Sequence, residues 1–74
     1  MALSVVLNGQ PREFPGLNSP VPLDALVQEL SLKGDRIAIE RNGDIAERNR
    51  WPEIMVSTGD KLEVVHFVGG GGGN

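Results

Sequence analysis

Residues 22–32 read Pro22-Leu23-Asp24-Ala25-Leu26-Val27-Gln28-Glu29-Leu30-Ser31-Leu32, and they hold the one amphipathic helical pattern in the chain. Leu23, Leu26, Val27 and Leu30 recur at i, i+3, i+4 and i+7, which makes a single apolar stripe on a helix. Pro22 suits the first helical position, where its missing N–H leaves nothing unpaired. Asp24 sets a carboxylate against the positive end of the macrodipole, and Lys33-Gly34 supplies a stop. The pattern predicts a helix over 22–32 that must bury one side against another element.

That element is read outward from both ends. Upstream, Leu3, Val5 and Leu7 alternate with Ser4, Val6 and Asn8, the period of a strand with one buried face. Asn8-Gly9 follows, and both residues tolerate positive φ, which favours a type I′ hairpin. Residues 10–14 form the returning strand, and Pro11, lacking an N–H, places it at a sheet edge. Pro15, Gly16, Asn18, Ser19, Pro20 and Pro22 read as a loop. Downstream, Ile37 and Ile39 predict a third strand and Asn42-Gly43-Asp44 a turn. Ile45 and Ala46 form a very short strand, and Asn49 caps a single helical turn through Trp51, Pro52 and Glu53. Ile54 and Val56 point inward, Thr58-Gly59-Asp60 turns the chain, and Leu62 and Val64 belong to a last strand that runs through Phe67 to Val68. A hairpin, one crossover helix and further strands make an α+β mixed sheet with one main helix packed across it, the β-grasp or ubiquitin-like architecture. A ferredoxin-like or split sandwich fold needs a second helix, and no second amphipathic stretch is long enough.

Composition narrows the function. With 74 residues the chain is one domain, and a domain of this size buries only roughly 60% of its unfolded surface. It has no cysteine and one histidine, which argues against disulfides, a catalytic thiol and a structural zinc site. Ten acids face seven bases, for a net charge of −3. Arg12, Lys33, Arg36, Arg41, Arg48, Arg50 and Lys61 are scattered, whereas nucleic-acid binding needs clustered cations. No basic run precedes an apolar stretch at the start, and no apolar run approaches the roughly 20 residues of a membrane span. These features predict a cytoplasmic protein with no nucleic-acid or membrane partner, and an acidic surface that suits a more basic protein.

The end of the chain is what folding does not explain. Gly69 to Gly73 are five consecutive glycines, followed by Asn74. Ordering glycine loses more backbone entropy than ordering any other residue, so the run forms neither helix nor strand. The domain therefore divides into a folded part over 1–68 and a flexible tail over 69–74. One reading of the tail is an inert or engineered end. The other is a thread without side chains that enters a narrow channel and sets a terminal carboxylate in another protein's active site. A carboxylate is a poor electrophile and needs activation there, for example as an acyl-adenylate.

The run Val64-Val65-His66-Phe67-Val68-Gly69-Gly70-Gly71 resembles the C-terminus of the ThiS-type sulfur carriers of thiamine biosynthesis. The resemblance extends to Leu7-Asn8-Gly9, Ile39-Glu40-Arg41-Asn42, Arg48 with Trp51, and Thr58-Gly59-Asp60, in that order and spacing. It implies a carrier and not an enzyme, with no bound cofactor and no metal. An E1-like adenylating enzyme uses ATP to activate the terminal glycine. A persulfide donor such as a cysteine desulfurase converts it to a thiocarboxylate, and thiazole synthase takes the sulfur. The chain runs past the usual family end, so the reactive terminus is Gly70 or Gly71, with the extension trimmed by a protease or artificial, or Gly73 if only Asn74 is removed. The alternatives are a carrier for molybdopterin or cysteine synthesis, or a ubiquitin-like binding module with an inert tail.

Few other residues invite a site. Val65 and Phe67 lie on the strand face opposite Leu62 and Val64; they are half-buried strand residues or, with Val68 and Gly69, an apolar docking patch beside the tail. Histidine is the residue type suited to acid–base chemistry near neutral pH, but His66 has no evident partner, so a rim position is expected. Trp51 is a peg under the short helical turn, with an interface role as the alternative. No two carboxylates converge on a pocket, and no catalytic residue is assigned. The glycine run is no phosphate loop, since no Lys-Ser/Thr and no helix follow it.

Overall fold

The computed structural model describes residues 1–67. It opens with β1 (Ala2–Leu7) and β2 (Gln10–Asn18), paired antiparallel with Leu7 opposite Gln10 and Leu3 opposite Phe14. Between them Asn8 at φ 50° and Gly9 at φ 80° make the tight hairpin that this dipeptide favours. β2 outruns the expected residues 10–14 by four. The register breaks between Ala2 and Leu3, so that Ala2 faces Asn18, and Pro15 and Gly16 lie inside the strand and not in a loop. An edge strand tolerates this, because a proline there leaves no ladder bond unmade.

The next element is one the sequence pattern does not reveal. β3 (Val21–Pro22) pairs antiparallel with β6 (Met55–Val56), as a separate two-stranded sheet. Pro22 is thus extended and stands just before the helix. α1 runs over Leu23–Glu29, with Leu23, Leu26 and Val27 buried and Asp24 in its first turn. The Leu23 N–H donates to the Ile54 carbonyl at 2.8 Å, so a strand neighbour meets one of the orphan donors of the first turn. The helix ends before the predicted limit of 32. Ser31 turns left-handed at φ 58°, its N–H donating to the Gln28 carbonyl, so the stop is Ser31 and not Lys33-Gly34.

After a one-turn 3-10 helix, Gly34–Arg36, come β4 (Ile37–Arg41) and β5 (Asp44–Ala46). A second such turn, Arg48–Arg50, follows with Glu47 before it, so Asn49 lies within the turn and caps nothing. β6 and then β7 (Lys61–His66) complete the chain. The main sheet has the order β2-β1-β7-β4-β5. β1 and β7 are parallel and the other pairs antiparallel, which is the mixed β-grasp sheet with one helix across it. Leu3, Val5, Leu7, Ile37, Ile39 and Leu62 from the sheet meet Leu23, Leu26 and Val27 from α1 in one core.

Trp51 closes the open end of that core. It is buried, and its indole N–H donates to the Ala46 carbonyl at 2.8 Å. A Cβ added to Gly34 would stand 3.1 Å from its ring, so the two segments approach closely where glycine permits it. The peg role expected for Trp51 is the one it fills. Among the described residues, no helix is long and apolar enough to cross a membrane.

Candidate functional site

β7 leads the chain toward its glycine tail, and three sets of contacts hold it in place. At its start Asp60 accepts hydrogen bonds from the Ser57 N–H (2.9 Å), the Arg41 Nε (3.0 Å) and the Asn42 Nδ2 (3.2 Å). Burial works to raise the Asp60 pKa, but the Ser57 N–H, the Asn42 amide and the Arg41 guanidinium together hold it below the ordinary carboxylate value. In the middle, Asn8 extends the β1 ladder with its side chain. Its Oδ1 accepts from the Val64 N–H at 2.7 Å and its Nδ2 donates to the Val64 carbonyl at 3.2 Å. At the end the Phe67 N–H donates to the Arg36 carbonyl at 2.9 Å. The last described residue is therefore still bonded to the body of the protein. The sequence marks Asn8 only as a turn residue, and nothing in it signals the bond to Val64.

The two faces of β7 differ. Leu62 is buried and Val64 half-buried on the inner face, while Val65 and Phe67 are each 59% exposed on the outer one. Ile45 on β5 is also exposed on that side. Val65 and Phe67 are therefore exposed and not half-buried. The docking residues Val68 and Gly69 and the candidate reactive glycines Gly70, Gly71 and Gly73 lie outside the described residues, as does the domain boundary at 68/69. His66 is exposed at the rim of a groove of about 290 Å³ lined by Leu7, Asn8, Arg12, Leu30, Leu32 and Val64, with no carboxylate among them. Among the described residues no three His, Asp or Glu side chains are placed to hold a metal. The arrangement presents the end of a strand with exposed apolar side chains beside it, and among the described residues no set of groups that would catalyse a reaction converges there.

The sequence pattern of the ThiS family matches residues 5–71. The chain belongs to the ThiS family. The match begins within β1, takes in the elements through β7 and runs on to Gly71. Among ThiS relatives, the sulfur carrier protein ThiS of Bacillus subtilis is 37% identical over 46 residues, 62% of this chain and 70% of that one. The thiazole synthase of Paramagnetospirillum magneticum is 36% identical over 69 residues, which cover 93% of this chain but 20% of the synthase. This ThiS-family chain thus spans about a fifth of the length of the thiazole synthases it matches. The crystal structure of the thiamine biosynthesis protein ThiS from Geobacter metallireducens superimposes with a TM-score of 0.80 at 27% identity, covering 93% of this chain and all of that one.

Proposed function

We propose that this chain is a sulfur carrier of thiamine biosynthesis whose C-terminal glycine carries the sulfur as a thiocarboxylate for thiazole formation. The observation that carries the reading is the family match, which extends past β7 into the glycines and ends at Gly71. The same match supports Gly71 as the reactive terminus, ahead of Gly70 and Gly73. While Gly72 follows it, the Gly71 carboxyl is an amide, so cleavage after Gly71 must come first. An E1-like enzyme then activates the freed carboxylate. The carboxylate oxygen attacks the α-phosphorus of ATP and pyrophosphate leaves. A persulfide, as formed on a cysteine desulfurase, displaces AMP from the acyl carbon. A thiol reduces the resulting acyl disulfide to the thiocarboxylate, which thiazole synthase consumes.

The chain's own contribution is reach and presentation. Asp60, Asn8 and Arg36 hold β7 and Phe67 in place ahead of the tail, and Val65 and Phe67 dock the activating enzyme. The thiazole synthase relatives favour thiamine over molybdopterin or cysteine synthesis. ATP binds the partner and not the carrier, and the cytoplasm is where these partners would meet it.

Intact mass before and after alkylation tests the reading, in a host with a working thiamine pathway. Alkylation is needed because exchange of oxygen for sulfur has nearly the same mass as oxidation of Met1 or Met55. A species ending at Gly71 that alkylates, in a chain without cysteine, is the expected product. A chain already ending at Gly71 that stays inert with its own activating enzyme, ATP and a sulfur donor would sink the proposal.

A further inference from the structure

The main sheet has two edges, β2 and β5, and they are closed to further strands in different ways. β5 is three residues long, too short to template another strand. β2 is nine residues long and exposed over most of its length, so it is the edge that invites pairing. Which of its backbone groups point outward follows from β1. The Val6 and Asn8 N–H groups donate to the Asp60 and Leu62 carbonyls, on the β7 side. The N–H groups of Leu3, Val5 and Leu7 therefore face β2, where Phe14, Arg12 and Gln10 stand opposite them. Pro11 and Glu13 occupy the alternate positions, so their main-chain groups point away from the sheet. Pro15 is the next in that series. A proline has no N–H, so over described residues 10–15 the Glu13 N–H is the one outward donor. Past Pro15 the register shifts between Ala2 and Leu3, and a break of that kind bends an edge out of line.

We infer that Pro11, Glu13 and Pro15 keep this edge from accepting β2 of a second copy of the chain. A twofold pairing of two such strands centres on Glu13, which has Pro11 and Pro15 at equal distances on either side. Pro11 of each copy then meets Pro15 of the other. The ladder loses its flanking donors and keeps only the exchange at Glu13. There the two Glu13 carboxylates stand directly opposite each other, and like charges so placed repel. Among the described residues Glu13 joins no ion pair that would cancel its charge. A slipped register restores nothing, because the prolines lack the donor in any register. Within one copy the prolines leave the β1–β2 ladder intact, since the bonds they forgo lie on the side away from β1. The inference holds for a carrier and for a binding module alike, because it concerns the folded strand and not the tail.

Sedimentation equilibrium of the full chain over a range of concentrations tests this, with circular dichroism to establish that each variant is folded. The unaltered chain is expected to stay monomeric. Pro11→Thr combined with Pro15→Thr supplies both missing donors and should tighten self-association by about tenfold or more. Adding Glu13→Thr should tighten it further. Gln10→Thr is the control: it adds a β-branched residue whose N–H faces β1, and it should leave the chain monomeric. Amide hydrogen exchange locates the contact, and the Glu13 N–H should slow as the double variant associates. A folded double variant that stays as monomeric as the control overturns the inference. So does association that leaves Glu13 exchange unchanged, and so does a dimer of the unaltered chain in which the Glu13 N–H is slowed. If the double variant does not fold, Pro11→Thr alone is judged by the same outcomes.

Discussion

On the inner face of the five-stranded sheet Leu3, Val5, Leu7, Ile39 and Leu62 are each 9% exposed or less, whereas on the outer face Ile45, Val65 and Phe67 are 67%, 59% and 59% exposed. Both faces belong to the same strands and share one backbone ladder. The inner residues answer to α1 and to close packing, where a lost methylene leaves a cavity. The outer residues answer to nothing within the described chain, and they include a repelling Glu40–Glu63 pair that stability would not choose. A thin domain without disulfides can leave one sheet face open only if the other carries the fold. The difference therefore separates residues that core packing accounts for from residues that it does not.

Substitutions on the two faces sharpen that contrast. Leu62→Ala removes a fully enclosed side chain and should cost about 3 kcal/mol in urea unfolding. For a domain this small, that is much of its stability. Trp51→Phe deletes the donor to the Ala46 carbonyl and part of the contact with Gly34. A loss of about 2 kcal/mol is expected by the same measurement.

Asp60 comes next, and its effect depends on pH. Its folded pKa lies below the ordinary carboxylate value, so its contribution is complete above the unfolded pKa. That contribution disappears as pH falls through the lower folded one. A Tm scan into acid should show this loss in the unaltered chain and a shallower acid limb in Asp60→Asn. Arg41 is more than a third exposed, so solvent screens its part of the effect and the change should be modest. Smallest of all in stability, Val65→Ser with Phe67→Ser should stay within about 0.5 kcal/mol. The same pair should weaken binding to the activating enzyme. A large loss of stability there would break the contrast, because it would show the outer face to be part of the core.

Much of this is legible without coordinates. Asn8-Gly9 can adopt the positive φ of a tight hairpin, and Leu23, Leu26 and Val27 make a stripe that only a helix can bury as one. The alternation in β1, β4 and β7 assigns their inner faces. These are local properties, set by backbone sterics and by the period of each element.

The remainder depends on which segments meet. The extension of β2 through Pro15 needs an edge position and a register break, and the pairing of Val21 with Val56 needs two distant segments side by side. The left-handed turn at Ser31 that follows α1 comes where the chain leaves the helix for β4. Period-two alternation puts Val65 and Phe67 opposite Leu62, but it does not say whether a second layer covers them. The opposition of Glu40 to Glu63 exists only through the β4–β7 register. The sequence by itself determined the main strands, the helix and the inner face, because short-range sterics and periodicity decide those. The tertiary structure alone decided what stands opposite what and which face stays open, because cross-strand register and layer coverage follow from contacts between residues far apart in the chain.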